Sequence, residues 1–296
     1  MDVPLRPSQG TDWCQRRVIA YAHQGGAWEA PSSTLHAIEA ALAAGATGIE
    51  LDVHATSDGH LVVSHDPTVD RTTNGSGNFA DLTLAEVREL DNAYWWAPGA
   101  DVSPGLDPGS YPFRGRAPGD RNFGVATLEE VLEEFPGVVL NLDIKQTAPE
   151  VVPYEEKLAD VLQRYGRGDD VIVASFLDRA TDAFSTFAPD IPTSAGTAAV
   201  AAFFQAVKAG EDPAPMHHVA LQVPATHAGM TLVDQSFVDA AHRLGLAVHV
   251  WTIEEETEMR RLCDLGVDGI ITDVPTVLVR VLDDRSEAWR PGTNDG

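Results

Sequence analysis

The 296-residue sequence contains few cysteines, few basic residues and no long apolar run. Its two thiols, Cys14 and Cys263, stand far apart in no metal-type spacing, which excludes a disulfide framework and a thiolate zinc site. No stretch approaches the roughly 18 apolar residues of a transmembrane helix, so we expect no membrane span. Lys and Arg number 20 against 45 Asp and Glu, for a formal net charge of −25. This charge excludes nucleic acid as a partner, because phosphate binding needs clustered cations.

The ends of the chain differ in composition from the middle. Residues 1–17 contain prolines and arginines but no apolar h-region, so we predict a leader that is not a secretory signal, and a cytoplasmic protein. Residues 284–296 are predicted to form a polar tail. The apolar fraction of 44% is typical of a globular protein, and residues 18–283 are expected to form one domain.

Short apolar or β-branched runs alternate with segments of helical spacing through this domain. Eight runs are predicted as strands: 18–22, 48–53, 138–144, 171–175, 191–195, 219–223, 247–251 and 269–272. The helix candidates include 34–44, 128–135, 150–165, 178–187, 235–244 and 254–265. Eight strand-then-helix units in about 280 residues predict a closed parallel (β/α)8 TIM barrel, with a doubly wound open sheet as the alternative.

Two segments do not belong to the eight strand-then-helix units of this barrel. Residues 61–65 form a ninth strand-like run after an Asp58-Gly59 turn, so we expect a hairpin that places His65 opposite Asp52. The insertion 67–126 is rich in Gly, Pro and aromatic residues. Because it follows the second strand, it is expected to be either a lid or substrate wall over the active-site face, or a self-packed subdomain. Its expected packing residues are Tyr94, Trp95, Trp96, Tyr111 and Phe113.

Carboxylates are concentrated at the ends of predicted strands. Glu50 and Asp52 are two residues apart and share a face, as do Asp143 and Lys145 at the end of the third strand. Carboxylates that converge on one barrel mouth repel each other unless their pKa values rise or a cation neutralises them. An all-oxygen set suits one Ca²⁺ or Mg²⁺ ion, with positions left for substrate oxygens. Chance clustering in an acidic chain is the alternative.

Two histidines also fall at strand ends beside these carboxylates: His23 ends the first strand and His65 ends the hairpin. Because histidine titrates near neutrality, such a pair can deprotonate a nucleophile and protonate a leaving alkoxide. His249 is expected to be a hydrogen-bonded core residue. No role is assigned to histidines in helix or loop contexts, which are His36, His60, His217, His218, His227 and His242.

Several separated motifs resemble the glycerophosphodiester phosphodiesterase family. They are AHQGG (22–26), GIELDVHATSDGHLVVSHDPTVDRTTNGSG (48–77), LNLDIK (140–145), ASF (174–176) and VWTIEEETEMRRLCDLGVDGIITDVP (250–275). The resemblance implies a (β/α)8 barrel with an insertion after the second strand unit. It also implies a hydrolase of lipid and glycerol metabolism, dependent on a divalent cation, commonly Ca²⁺ or Mg²⁺. Such an enzyme hydrolyses glycerophosphodiesters to glycerol 3-phosphate and an alcohol.

The resemblance also assigns roles to individual residues. It implies that His23 and His65 are catalytic and that Glu50, Asp52 and Asp143 bind the metal, with Asp143 in place of the usual Glu. Residues expected to contact phosphate or substrate are Lys145, Gln24, Trp251 and Phe176. Trp251 could equally belong to the barrel core.

The sequence departs from the family pattern at the expected phosphate site. Gln24 replaces an arginine, Ser32 and Ser33 replace a Glu-Asn pair, and Glu254 replaces an asparagine. We hypothesise that Arg71 or Arg114 from the insertion supplies the positive charge that is missing from the expected phosphate site.

The resemblance and the residues together predict a metal-dependent phosphodiesterase of small glycerophosphodiesters that works by histidine acid/base catalysis. One alternative is a lysophospholipase D acting on lysophospholipids, suggested by the aromatic insertion. Another is a non-catalytic phosphate-binding barrel, suggested by the departures at Gln24, Ser32 and Ser33. No oligomeric state follows from the sequence.

Overall fold

The structure, a computed structural model, describes residues 13–290. The strands are β1 Ile19–His23, β2 Gly48–Ala55, β3 Leu61–Val63, β4 Val139–Ile144, β5 Val171–Ala174, β6 Ala220–Pro224, β7 Thr226–His227, β8 Met230–Thr231, β9 Ala247–Trp251 and β10 Gly269–Thr272. The α-helices are α1 Leu35–Ala43, α2 Leu84–Val87, α3 Leu128–Glu134, α4 Glu155–Arg164, α5 Asp178–Phe187, α6 Thr197–Ala209, α7 Gln235–Arg243, α8 Glu256–Leu265 and α9 Pro275–Arg285. None of the helices in this part of the chain has the length and apolarity needed to span a membrane.

Within residues 13–290, seven strands form a curled parallel sheet in the order β5-β4-β2-β1-β10-β9-β6. The gap between β5 and β6 is bridged by residues 193–194, because Val173 pairs with Thr193 and Ser194 pairs with Ala220. These two parallel bridges close the ring and confirm the TIM barrel, so the open-sheet alternative is wrong. The predicted strand 191–195 is reduced to these bridges. Pro192 has no N–H to donate, which limits the ladder at this position.

The hairpin predicted after the second strand is present. β3 runs antiparallel to β2, with Val53 opposite Val63 and Ala55 opposite Leu61. Gly59 turns the chain with a φ of 80°, a conformation that glycine adopts without steric cost. The Ser64 N–H then donates to the Asp52 carbonyl over 3.0 Å, which brings the residue after Ser64 to the end of β2.

The barrel interior and the layer between strands and helices are both apolar. Interior residues at 3% exposure or less include Ile19, Tyr21, Val139, Ile172 and Ile271. In the outer layer, Phe184 of α5 is fully buried, which contributes about 2 to 3 kcal/mol to folding. The predicted capping box of α3 is present, with Thr127 and Glu130 each bonding the other's backbone N–H.

The described parts of the predicted leader and tail pack against the end of the barrel opposite the carboxyl ends of the strands. Trp13 is 2% exposed and joins the interior cluster. The Val18 N–H donates to Glu287, and the Trp289 N–H donates to Val18. Apolar side chains in both segments are therefore buried by the barrel, and α9 continues to Arg285, while the domain boundaries at 17 and 284 stay predictions. Residues 1–12 and 291–296 lie outside the described residues.

The insertion 67–126 packs on itself and on the start of the barrel. Phe113 stacks on Trp96 and on Phe123, with ring centroids 5.4 and 4.8 Å apart. His36 of α1 contacts the Phe113 ring edge at 5.0 Å. The Trp96 indole N–H donates to the Ala27 carbonyl over 2.8 Å. These contacts attach the insertion to the β1–α1 loop and to α1.

Candidate active site

A cavity of about 490 Å³ opens at the carboxyl ends of the barrel strands. Eight of the nine predicted site residues line it: His23, His65, Glu50, Asp52, Asp143, Lys145, Phe176 and Trp251. Gln24 is the exception. The strand register explains the convergence, because His23 pairs with Glu50 across β1 and β2, and Asp52 pairs with Asp143 across β2 and β4. Paired residues of parallel strands point to the same face.

His23 is held by a carboxylate from the other end of the chain. Its Nδ1 lies 2.6 Å from Asp273 Oδ1, just after β10, and its Nε2 lies 3.7 Å from Glu50 Oε2. Burial alone lowers the pKa of His23, but the Asp273 hydrogen bond and the Glu50 charge raise it to about 9. The bond to Asp273 fixes the orientation of the ring and leaves His23 Nε2 on the side of Glu50.

His65 is held in the same manner. Its Nδ1 lies 2.7 Å from Asp66 Oδ1, and Asp66 Oδ2 accepts from Arg71 Nε over 2.6 Å. The hydrogen bond from His65 and the Arg71 guanidinium hold the pKa of Asp66 below its usual range, against the effect of burial. The His23 and His65 rings are 6.1 Å apart and nearly perpendicular. The cavity therefore has two imidazoles with Nδ1 bound to a carboxylate.

The three predicted metal ligands lie beside these rings. Burial, and then the Asp52 charge, raises the pKa of Glu50 to about 8, and burial raises the pKa of Asp143. Lys145 Nζ lies 2.8 Å from Asp52 Oδ1 and 3.2 Å from Asp143 Oδ2. The other oxygens, Asp52 Oδ2 and Asp143 Oδ1, are buried and have no hydrogen-bond partner within residues 13–290. Buried carboxylate oxygens without partners are costly, and a hard divalent cation would satisfy them.

Gln24 is not among the residues that line the cavity, and its contact with substrate stays a prediction. Its backbone has a φ of 52°, and its N–H donates to the Glu50 carbonyl over 2.9 Å. This turn buries the side chain and places Gln24 Nε2 3.0 Å from His23 Nε2. Gln24 therefore contacts a histidine of the site.

Phe176 and Trp251 form a wall of the cavity. Their rings meet edge to face with centroids 5.5 Å apart, and Phe176 is 52% exposed. Trp251 is half-buried and also packs on the interior cluster, so it belongs both to the wall and to the core. His249 is fully buried and has a Gln222 amide 3.3 Å from its Nδ1, as expected of a core histidine. Burial lowers the pKa of His249 to about 3.

Beyond Phe176 the cavity continues as an apolar arm between α6 and the β7–β8 hairpin. The residues of the apolar arm are Val200, Phe204, Pro224, Met230 and Leu232. Met230 is 54% exposed at its rim, while Leu232 is buried. His227 of β7 and Thr197 of α6 also line the cavity, so its wall on this side is mainly but not wholly apolar.

The insertion does not form the expected lid, because none of residues 67–126 lines the cavity. Its aromatic residues are used internally: Arg114 stacks over the rings of Tyr94, Trp95 and Tyr111 and donates to the Tyr94 carbonyl. Arg71 is paired with Asp66 and with Asp101. Neither arginine lines the cavity, so the hypothesis that one replaces a phosphate-binding cation is wrong.

The sequence reasoning missed Asp66 and Asp273, the carboxylate partners of the two histidines. Both could have been found from position, since Asp66 directly follows His65 and Asp273 directly follows a barrel strand at the active-site end. Sequence reasoning also did not predict the hydrogen bonds of Glu254. Its carboxylate accepts from Thr272 Oγ1 at 2.9 Å and from the Asp273 N–H at 3.0 Å, which fixes the turn that carries Asp273. Burial, and then Asp273, raises the pKa of Glu254 to about 7.

Known proteins and solved structures resemble this chain over most of its length. The glycerophosphoryl diester phosphodiesterase family model matches residues 23–277. A glycerophosphodiester phosphodiesterase of Caldanaerobacter subterraneus subsp. tengcongensis is 32% identical over 270 residues, 90% of this chain and 98% of that protein. One of Bacillus subtilis is 32% identical over 286 residues, 93% of this chain and 89% of that protein. An Oleispira antarctica phosphodiesterase, solved with the product sn-glycerol-3-phosphate, has the same fold, with a TM-score of 0.68, 24% identity and coverage of 90% and 96% of the two chains.

Proposed function

The chain belongs to the glycerophosphoryl diester phosphodiesterase family and is a phosphoric diester hydrolase, and on this premise we propose its chemistry and substrates. It hydrolyses small glycerophosphodiesters to sn-glycerol 3-phosphate and an alcohol, with one divalent cation and two histidines. The observation that carries the proposal is the shared cavity in which two carboxylate-held imidazoles face three buried carboxylates.

The donor set fits a cation. Glu50, Asp52 and Asp143 would hold it, because they offer only oxygens and two of these are buried without partners in the described chain. Ca²⁺ and Mg²⁺ both favour such ligands. When bound, the ion would supply positive charge for a non-bridging phosphate oxygen and for a nearby hydroxyl.

The histidines move the protons. Because Asp273 and Asp66 occupy their Nδ1 atoms, His23 and His65 act through Nε2. One Nε2 accepts the proton of the attacking hydroxyl, and the other gives a proton to the leaving alkoxide. If water attacks, glycerol 3-phosphate forms directly; if the substrate's glycerol hydroxyl attacks, a cyclic phosphate forms first, and a water molecule then opens it to glycerol 3-phosphate. One base and one acid on separate residues are needed because the attacking oxygen and the leaving oxygen lie on opposite sides of phosphorus.

Lys145 supplies fixed positive charge at the same place. Burial alone lowers the pKa of Lys145, but Asp52 and Asp143 raise it above its ordinary value, so the ammonium stays protonated at neutral pH. It lines the cavity with 17% of its side chain exposed. In a chain of net charge −25, this ammonium and a divalent cation would together neutralise the three carboxylates, so that an anionic phosphate is not repelled at this place.

A substrate panel tests the proposal. Purified protein is assayed for release of glycerol 3-phosphate and free alcohol from glycerophosphocholine, glycerophosphoethanolamine and glycerophosphoglycerol with Ca²⁺, Mg²⁺ or Mn²⁺. We expect turnover by the wild type and by His60→Ala, an exposed histidine far from the cavity, and losses of at least about 100-fold in His23→Ala and His65→Ala. Equal activity of His65→Ala and the wild type would contradict the assignment.

A second candidate function is lysophospholipase D activity. The observation that supports it is the apolar arm, and not the aromatic insertion. An acyl chain that extends along Val200, Phe204 and Met230 would leave the phosphate at the histidines. Burial of four methylenes contributes about 3 kcal/mol, equivalent to a KM lower by roughly 100-fold for lysophosphatidylcholine than for glycerophosphocholine. Phe204→Asp should remove this difference and leave glycerophosphocholine turnover unchanged. Equal KM values in the wild type would exclude this function.

The non-catalytic alternative loses its main support. It was motivated by Gln24, Ser32 and Ser33, and none of them lines the cavity. The carbonyls of Ser32 and Ser33 instead accept from the Asn92 amide, a contact between the β1–α1 loop and the insertion. Ser32 and Ser33 therefore lie outside the cavity lining, whereas Gln24 reaches the site through His23 Nε2.

A further inference from the structure

A second group of metal-ligand side chains lies on the outside of the barrel, away from the catalytic cavity. Asp182 is on α5, and His217 and His218 are in the segment that leads into β6. One donor atom from each of the three lies within 4.8 Å of the others. His217 Nε2 is 3.9 Å from Asp182 Oδ1, and the two imidazole rings are 3.9 Å apart. We name these three residues the β6-entry cluster.

We propose that the β6-entry cluster binds a borderline transition-metal ion such as Zn²⁺. Two imidazole nitrogens and one carboxylate oxygen are donors that Zn²⁺ favours, whereas Ca²⁺ and Mg²⁺ prefer oxygens alone. Three protein ligands leave a fourth position for water. The catalytic cavity, with its all-oxygen donors, would therefore differ from this site in the ions it selects.

The structure prepares His218 as a ligand. His218 is 8% exposed, and its Nδ1 lies 2.9 Å from Thr193 Oγ1. When Nδ1–H donates to this hydroxyl, Nε2 keeps the lone pair that a metal ion needs, and the ring is fixed in orientation.

Asp178, which is on the same helix as Asp182, has a separate structural role. Asp178 accepts from the Ala198 and Ala199 N–H groups, and so caps the start of α6. Asp182, by contrast, has a side chain that is 64% exposed and lies beside His217. The cluster is accessible from solvent, and a net charge of −25 raises the local concentration of cations around the chain.

A bound ion would link α5 to the segment that enters β6, beside the place where β5 and β6 are joined only through residues 193–194. Residues 193–194 join β5 to β6 through single bridges, and Thr193 is both a bridge residue and the partner of His218. An ion held by Asp182 and the two histidines would connect α5 to the chain entering β6 across this seam. It would therefore raise thermal stability and slow amide exchange at residues 193–195 and 219–221.

The test measures Zn²⁺ binding with the catalytic carboxylates disabled. In the full chain carrying Glu50→Gln and Asp52→Asn, titration calorimetry should find one Zn²⁺ per chain. Adding His217→Ala or Asp182→Asn, both at exposed positions, should weaken binding at least about tenfold. His60→Ala, which removes an exposed histidine outside the cluster, should leave it unchanged. Circular dichroism checks that each variant is folded.

A second readout distinguishes a specific site from loose surface binding. Zn²⁺ should raise the Tm and slow exchange at 193–195 in the parent variant but not after His217→Ala. The proposal is overturned if the parent binds no Zn²⁺, or if His60→Ala and His217→Ala alter binding equally. Because catalysis is disabled in every variant, neither result depends on whether the proposed phosphodiesterase function is correct.

Discussion

Replacing Asp273 by asparagine tests the link between the first and last barrel strands. The Asp273 carboxylate lies 2.6 Å from His23 Nδ1, and the two side chains are only 14% and 18% exposed. A hydrogen bond to a charged group contributes about 1.5 to 3 kcal/mol, and this pair is largely shielded from solvent. If the whole free energy of this hydrogen bond stabilises the transition state, its loss lowers kcat by about 10- to 150-fold, at 1.4 kcal/mol per factor of ten.

The assay is the steady-state release of glycerol 3-phosphate from glycerophosphocholine at saturating divalent cation. Asp273→Asn should reduce kcat within this range and leave KM within about twofold, because the substituted group orients a histidine and does not bind substrate. Asp190→Asn, an exposed carboxylate outside the cavity, is the matched control and should have wild-type kinetics. A kcat for Asp273→Asn within twofold of the wild type would refute the reasoning.

Three further predictions concern the insertion, pH and the core. Arg71→Ala should lower kcat with little change in KM, because Arg71 holds Asp66 and does not line the cavity; steady-state kinetics showing mainly a raised KM would contradict this. The Asp268 hydrogen bond raises the pKa of His242 above its unfolded value of about 6.5, so its stabilisation is complete below that pH and is lost as pH rises through the folded pKa. Urea unfolding from pH 5 to 9 should show a smaller loss of stability in His242→Gln than in the wild type, because the raised pKa of His23 contributes to the loss in both. Phe184→Ala should lower the free energy of unfolding by about 3 to 5 kcal/mol. A loss below 1 kcal/mol in urea unfolding would mean that the core closes over the space left by the ring.

The barrel and its carboxylates could be predicted because both depend on short-range periodicity. A side-chain period of two places Glu50 and Asp52 on one face of a strand, and an Asp-Gly turn predicts the hairpin that carries His65. The strand ends of a parallel barrel meet at one mouth, so the convergence of these residues needed no further information. The observed pairing of Asp52 with Asp143 agrees with this expectation.

Other features depend on contacts between distant parts of the chain. Asp273 reaches His23 because β10 closes the ring beside β1, a contact across 250 residues. The position of the insertion depends on stacking such as that of Phe113 on Trp96, which composition does not encode. The side chain of Gln24 turns back onto His23 because of a positive φ that the sequence pattern does not indicate.

The central claim is that Glu50, Asp52 and Asp143 hold a cation required for phosphodiester hydrolysis beside His23 and His65. The most direct measurement is the rate of glycerol 3-phosphate release from glycerophosphocholine by the wild-type chain before EDTA, after EDTA and after return of Mg²⁺ or Ca²⁺. We predict that activity falls to background with the chelator and recovers with the added ion. Hydrolysis that continues unchanged in excess EDTA, or that is absent with every cation, would contradict the account.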